Sequence, residues 1–162
     1  MLGNQSQPIV LDPAARSYEL KSMHLNSLPS FHGLATEDCL QFIHDYQDIM
    51  VTFPIGRLTE DQLRMRCFRY CLKDKGIKWY NSLKAGSLTT WADVCNAFFT
   101  RCFPAAKAKE IRVQIASFGE EDDESFHEAW TRYSELLTKL PPHMVTEEYK
   151  VRTFYDGLTT FT

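Results

Sequence analysis

Residues 78–103 read KWYNSLKAGSLTTWADVCNAFFTRCF. Two readings compete for the rings in it. Aromatics interleaved with Lys78 and Lys84 suit a platform on which nucleic-acid bases stack. They equally suit the buried face of two helices that meet at a glycine turn. Spacing favours the second reading. Trp91, Val94, Cys95, Phe98, Phe99 and Cys102 fall at i, i+3, i+4, i+7, i+8 and i+11, a full core-facing helical stripe. Thr89 or Thr90 supplies its N-cap. Tyr80 shares a face with Ile77 and Leu83, and Trp79 sits at the edge of that face. Burying rings of this size contributes ~2–3 kcal/mol each, more than an exposed platform gives the folded state. Trp79, Tyr80, Trp91 and Phe98 are therefore expected in a helical core, and Trp130 further along in another.

The same period extends in both directions. From Thr36, a capping residue, Cys39, Ile43, Tyr46, Met50 and Phe53 repeat at three and four until Pro54 and Gly56. Thr59 to Gln62 reads as a capping box ahead of Leu63, Cys67, Phe68, Cys71 and Leu72. Beyond Pro104, Ala108, Ile111, Ile115 and Phe118 mark a fifth helix. An acidic turn follows, and Asp123 or Ser125 caps a helix carrying Phe126, Ala129, Trp130, Tyr133, Leu136, Leu137 and Leu140. Pro141-Pro142 stops it. A last helix spans about 146–156, with Tyr149 and Phe154 inward and Gly157 as its C-cap. No strand pattern of any length competes, so the fold class is all-α. Pro104 divides about four helices, in 28–103, from about three, in 104–162. Residues 1–27, with Pro8 and Pro13, read as an extended or mobile arm. Alternation at Met23, Leu25 and Leu28 would let part of it lie along the domain as a strand.

Composition is that of a globular chain: 162 residues, 44% apolar and 24% charged. No apolar run approaches the ~20 residues of a membrane span, and the N-terminus lacks a signal-peptide pattern, so an intracellular, cytoplasmic protein is expected, with nuclear presence compatible. The five cysteines, Cys39, Cys67, Cys71, Cys95 and Cys102, have no CxxC spacing and lie on or beside apolar stripes, which predicts buried thiols. The net charge of −3 conceals an asymmetry. Residues 57–112 hold twelve basic side chains against five acidic ones, and residues 113–162 hold ten acidic against four basic. Such a molecule can attract copies of itself head to tail.

Nothing in the chain assembles a catalytic set: there is no GxSxG, HExxH, P-loop or GxGxxG. His24, His32, His44, His127 and His143 each stand without partners at metal-ligand spacing. Glu120 to Glu124 lacks the spaced ligands and glycine of a calcium loop. Catalytic residues, metal ligands and cofactors are all expected to be absent.

Taken together, FHGLATEDCLQFI (31–43), LKDKGIKWYNSLKAGSLTTWADVCNAFFTRCFP (72–104) and DDESFHEAWTRYSELL (122–137) resemble the Gag capsid region of plant gypsy-type LTR retrotransposons. The likeness spans about residues 8–158. A second likeness lies in the acidic turn: retroviral capsids carry a major homology region, and Glu124, Phe126, Arg132 and Tyr133 stand at its positions, with Glu120 and Glu121 in place of its Gln-Gly pair. The resemblance implies two small helical capsid lobes, the second incomplete, with Phe126 in the core and Glu124 and Arg132 tying the turn to the helix. It implies a structural protein that self-assembles into virus-like particles and contacts element RNA mainly through a nucleocapsid segment outside this chain. Arg64, Arg66 and Arg69 are candidate assembly contacts for Glu120, Glu121, Asp122 and Asp123. The alternative is a domesticated adaptor whose first lobe holds a peptide strand by main-chain pairing, as Arc lobes do. Met23, Leu25, Leu28 and Phe31 would mark its groove or the arm filling it.

Overall fold

The computed structural model describes residues 7–158. Among these residues the chain is all-helical, with isolated bridges but no named strand. It divides into two compact units, 1–102 and 103–162.

In unit 1, α1 (Pro13–Arg16) and α2 (Ser22–Ser27) precede α3 (Cys39–Met50), α4 (Glu60–Phe68), α5 (Asp74–Ser82) and α6 (Trp91–Cys102). The stripe of α6 packs as its spacing predicts: Trp91, Val94, Phe98 and Phe99 are all buried. They meet Phe42 and Tyr46 of α3 and Phe68 of α4 in one aromatic cluster, with Phe31 inserted beside Phe98 at a ring separation of 4.9 Å. Tyr80 is buried, and Trp79 is half-buried, edge-on to Phe98 at 6.0 Å. The cap of α6 is reciprocal. Thr90 Oγ1 accepts from Asp93 N at 3.0 Å, and the Asp93 carboxylate accepts from the backbone N–H groups of Thr89 and Thr90.

Three expectations for this unit are corrected. The arm is not extended throughout: Asp12 caps α1 with Pro13 at its first position, and Ala15 is fully buried. Met23 and Leu25 lie on α2 rather than on a strand, with Met23 70% exposed and Leu28 at the helix's C-cap. Of the four groove or arm candidates, Phe31 does pair through its main chain, and so do residues 8–10. Val10 N donates to Leu88 O at 2.8 Å, and Leu88 N to Pro8 O at 2.9 Å. Phe31 N donates to Cys71 O, and Phe31 O accepts from Lys73 N, both at 2.8 Å. Helix α3 begins at Cys39 with Asp38 as its cap, not at Thr36, because the Asp38 carboxylate accepts from Gln41 N. Finally, the cysteines are not five thiols. Cys39 at the start of α3 and Cys102 at the end of α6 are joined, with Cα atoms 6.3 Å apart, a separation disulfides span. The pair is 63 residues apart in sequence, which is why spacing conceals it. Cys67, Cys71 and Cys95 are free, and burial pushes the Cys67 and Cys95 thiols up to about 11 and about 12.

Unit 2 holds α7 (Ala105–Ala116), α8 (Phe126–Leu137) and α9 (Glu147–Leu158). Ser125 is the cap of α8 in a complete capping box: its hydroxyl accepts from Glu128 N, and Glu128 accepts from Ser125 N. Phe118, Tyr133 and Phe154 form the aromatic centre, with ring separations of 4.7, 5.7 and 5.2 Å. Tyr133 Oη donates to Lys150 O at 2.8 Å, which fastens α8 to α9. Four expectations are overturned here, the first on α9, where Tyr149, expected inward, is 40% exposed. Phe126 and Trp130 are not core residues: they are 58% and 43% exposed. Ala129 and Tyr133 take the buried line of α8, and the rings one position to the side lie at the open edge of a three-helix packing. Gly157 is not a C-cap but a buried residue within α9, where it meets the backbone of Phe118.

Candidate functional site

Residues 57–73 hold four arginines, and helix geometry sorts three of them. Arg64 is two residues from Arg66, ~200° around a helix, whereas Arg69 is three residues on and shares the Arg66 side. Arg64 turns to its own helix, 3.1 Å from Asp61 and 3.6 Å from Glu60. Arg66 and Arg69 instead line a cavity of about 600 Å³. The capping signal of Asp12-Pro13 starts α1, and α1 brings a third arginine, Arg16, to the same cavity. The wall is completed by Val10, Met65, Tyr70 and Tyr80. The trio expected to act together is thus split, and Arg16 replaces Arg64. The sequence does carry a signal for Arg16, since Asp-Pro-Ala-Ala-Arg is a cap, a first-turn proline and a short helix.

The head of Arg66 is fixed. One terminal nitrogen donates to Tyr70 Oη at 3.2 Å and the other to Tyr18 O at 3.3 Å, with the guanidinium 5.7 Å above the Tyr70 ring. Its Nε is buried without a partner among the described residues, as is Gln7 Oε1. Arg16 Nε donates to Leu11 O at 3.1 Å. Among the described residues no carboxylate forms an ion pair with Arg16, Arg66 or Arg69, and none lines the cavity.

In unit 2 the acidic turn is organised by Arg132. Its Nε and Nη2 donate to the two oxygens of Glu124 at 2.9 and 3.0 Å, and Nη2 also donates to Gly119 O. The guanidinium lies 4.5 Å over the Phe118 ring. Glu124 also accepts from Glu121 N at 2.9 Å, so its carboxylate closes the turn. Hydrogen bonding to Arg132, then to Glu121 N–H, holds the Glu124 carboxyl down at about 2, from an ordinary value of 4.5. A carboxyl depressed in the folded state stabilises it fully above the unfolded value, and that contribution disappears as pH falls through the folded one. Wild-type protein is therefore expected to lose stability between about pH 4.5 and about pH 2. Glu124→Gln should be less stable at pH 7 and show a flatter acid limb in a pH series of melting temperatures. Parallel limbs for the two proteins would remove Glu124 as the cause. Of the other acids in the turn, Glu120 is half-buried and its N–H donates to Gly157 O at 3.4 Å, Glu121 reaches to 3.9 Å from Arg132, and Asp122 and Asp123 are exposed.

Unit 2 also presents rings to solvent. Phe126, Trp130 and Tyr155 all meet the buried Phe154, at ring separations of 5.6, 4.9 and 6.0 Å, and all three are more than two-fifths exposed. Among the described residues no group of three or more His, Cys, Asp or Glu is gathered for a metal ion, and no helix is long and apolar enough to cross a membrane. Comparison with protein-family models, with curated proteins and with solved structures finds no match to this chain.

Proposed function

We propose that this chain is the structural capsid protein of an LTR retrotransposon, a non-catalytic Gag segment that assembles with copies of itself around the element's RNA. The observation that carries the reading is the uncovered aromatic face of unit 2. Phe126, Trp130 and Tyr155 surround a buried Phe154 and remain in solvent. Contiguous exposed rings of this kind mark protein contact surfaces, and large aromatics carry most of the binding energy where such surfaces meet. The sequence likeness to Gag capsids supplies the partner, a second copy. The acidic charge of residues 113–162 and the basic charge of residues 57–112 suit contacts between unlike surfaces, which generate rings or open lattices.

Light scattering over a concentration series, with negative-stain microscopy, tests this. Wild-type protein should gain mass with concentration and form rings, tubes or shells. Trp130→Glu should raise the concentration needed by about tenfold or more, the effect of losing a hot-spot ring. A wild-type protein that stays monomeric at every concentration and salt would overturn the reading. One observation favours a second reading, a Gag-derived adaptor that holds a peptide strand. Residues 8–10 already pair with Leu88 through the main chain, as a bound strand would. A strict monomer that binds an added copy of residues 1–12 once its own are deleted would support it.

A further inference from the structure

The cavity of unit 1 takes in Arg66 and Arg69, two of the basic residues the assembly reading draws on, but its chemistry points to a ligand. Three arginines line one space, with no carboxylate among the described residues of its lining. Like charges gathered this way repel, and a fold without a counter-charge has no electrostatic reason to hold them together. Surface arginines usually turn to the nearest acid, as Arg64 does. Arg66 cannot: Tyr18 O and the Tyr70 hydroxyl hold its head in place at the cavity wall. It is a preorganised cation, and Arg16 and Arg69 keep donors that no other described residue takes up. We propose that this cavity binds a small organic phosphate, a phosphoryl group carried on an apolar or aromatic body.

Charge, shape and volume each select that class. A phosphate monoester carries −1.5 to −2 at pH 7 and three acceptor oxygens, a match for three cations that a single carboxylate is not. Guanidinium forks pair with phosphate oxygens two bonds at a time. At about 600 Å³ the cavity exceeds what a bare phosphate fills and lies in the range of ligand sites. Val10 and Met65 offer apolar wall, and the Tyr70 ring is 40% exposed for a ring or chain to lie on. The phosphoryl group would pair with the exposed Arg16 and Arg69, and the organic body would lie on the wall of Val10, Met65 and Tyr70.

The test is calorimetric titration of the full chain with phenyl phosphate, inorganic pyrophosphate and benzoate. Phenyl phosphate should bind saturably and more tightly than benzoate, whose single charge leaves the cations uncompensated. Phenyl phosphate tighter than pyrophosphate supports an organic body on the phosphoryl group, and pyrophosphate tighter would overturn that part of the proposal. Arg69→Gln and, independently, Arg16→Gln should weaken phenyl phosphate by about tenfold or more, the loss of one charge-assisted pair. Both side chains are exposed, so both variants should keep the wild-type circular dichroism. Arg64→Gln, outside the cavity, should bind as wild type does. No saturable binding of either phosphate compound would overturn the proposal. So would equal binding by Arg69→Gln, Arg16→Gln and Arg64→Gln. Equal displacement of phenyl phosphate from wild type and Arg69→Gln by a short single-stranded RNA would also overturn it, by showing a diffuse polyanion surface instead.

Discussion

Phe98→Ala should lower the unfolding free energy by about 3–5 kcal/mol, the range for removing a buried phenylalanine ring. The side chain is 1% exposed and its ring meets five others: Phe31 at 4.9 Å, Phe42 and Phe99 at 5.6 Å, Phe68 at 5.7 Å and Trp79 at 6.0 Å. These rings come from α3, α4, α5 and α6 and from the segment before α3. The hole left behind therefore borders every large element of unit 1, and no one neighbour can fill it without leaving its own place. The edge-to-face contacts add to the loss beyond area alone. Urea unfolding followed by tryptophan fluorescence reads it directly, because Trp79 and Trp91 both report on this cluster. Phe98→Leu, which keeps much of the volume, should lose less. A loss under about 1 kcal/mol, with an unchanged denaturant slope, would mean that the ring is not where the packing converges.

The same cluster shows what sequence period reveals and what it leaves out. A stripe at three-and-four spacing reports which side of a helix is apolar, so Trp91, Val94, Phe98 and Phe99 were legible as core. It does not report how wide a face the neighbours cover. On α8 the apolar side includes Phe126 and Trp130 as well as Ala129 and Tyr133, and three helices shield only the latter line. The period places Phe126 and Trp130 correctly on the apolar side, but their burial differs from expectation, and the difference leaves both rings in solvent. The arginines show a second limit. Arg64, Arg66 and Arg69 read as one basic group along the chain, but the rotation of 100° per residue sends Arg64 to its own acids and the others to the cavity. Arg16 escapes the sequence reading because Pro8 and Pro13 point to an extended or mobile arm. Pro13 instead occupies a first-turn position, where its missing N–H costs nothing.

Gly157 is the position where a local rule gives the wrong sign. Near the end of an apolar-periodic run a glycine reads as a left-handed C-cap. Substitution by alanine within a helix otherwise favours stability by about 1 kcal/mol, through backbone entropy. In this fold a Cβ on Gly157 would stand 2.5 Å from Phe118 O and 3.0 Å from the Phe118 ring. The first obstacle is backbone, which cannot rotate away, so α9 must move off the end of α7. That movement pulls on the Phe118–Phe154 contact at 5.7 Å and on the Glu120 N–H bond to Gly157 O. Overpacking of this kind costs about 1–3 kcal/mol, with more where backbone must shift, which exceeds the propensity gain. Gly157→Ala is thus expected to destabilise unit 2 by about 2 kcal/mol or more, net. Gly119→Ala is the matched comparison, since the nearest atom to its added Cβ is Gly157 O at 4.0 Å. It should stay within about 0.5–1 kcal/mol of wild type. Hydrogen exchange separates the units: amides of α8 and α9 should lose protection in Gly157→Ala while those of α3 and α6 keep theirs. A rise in stability for Gly157→Ala would show that α9 does not lie this close to Phe118 in solution.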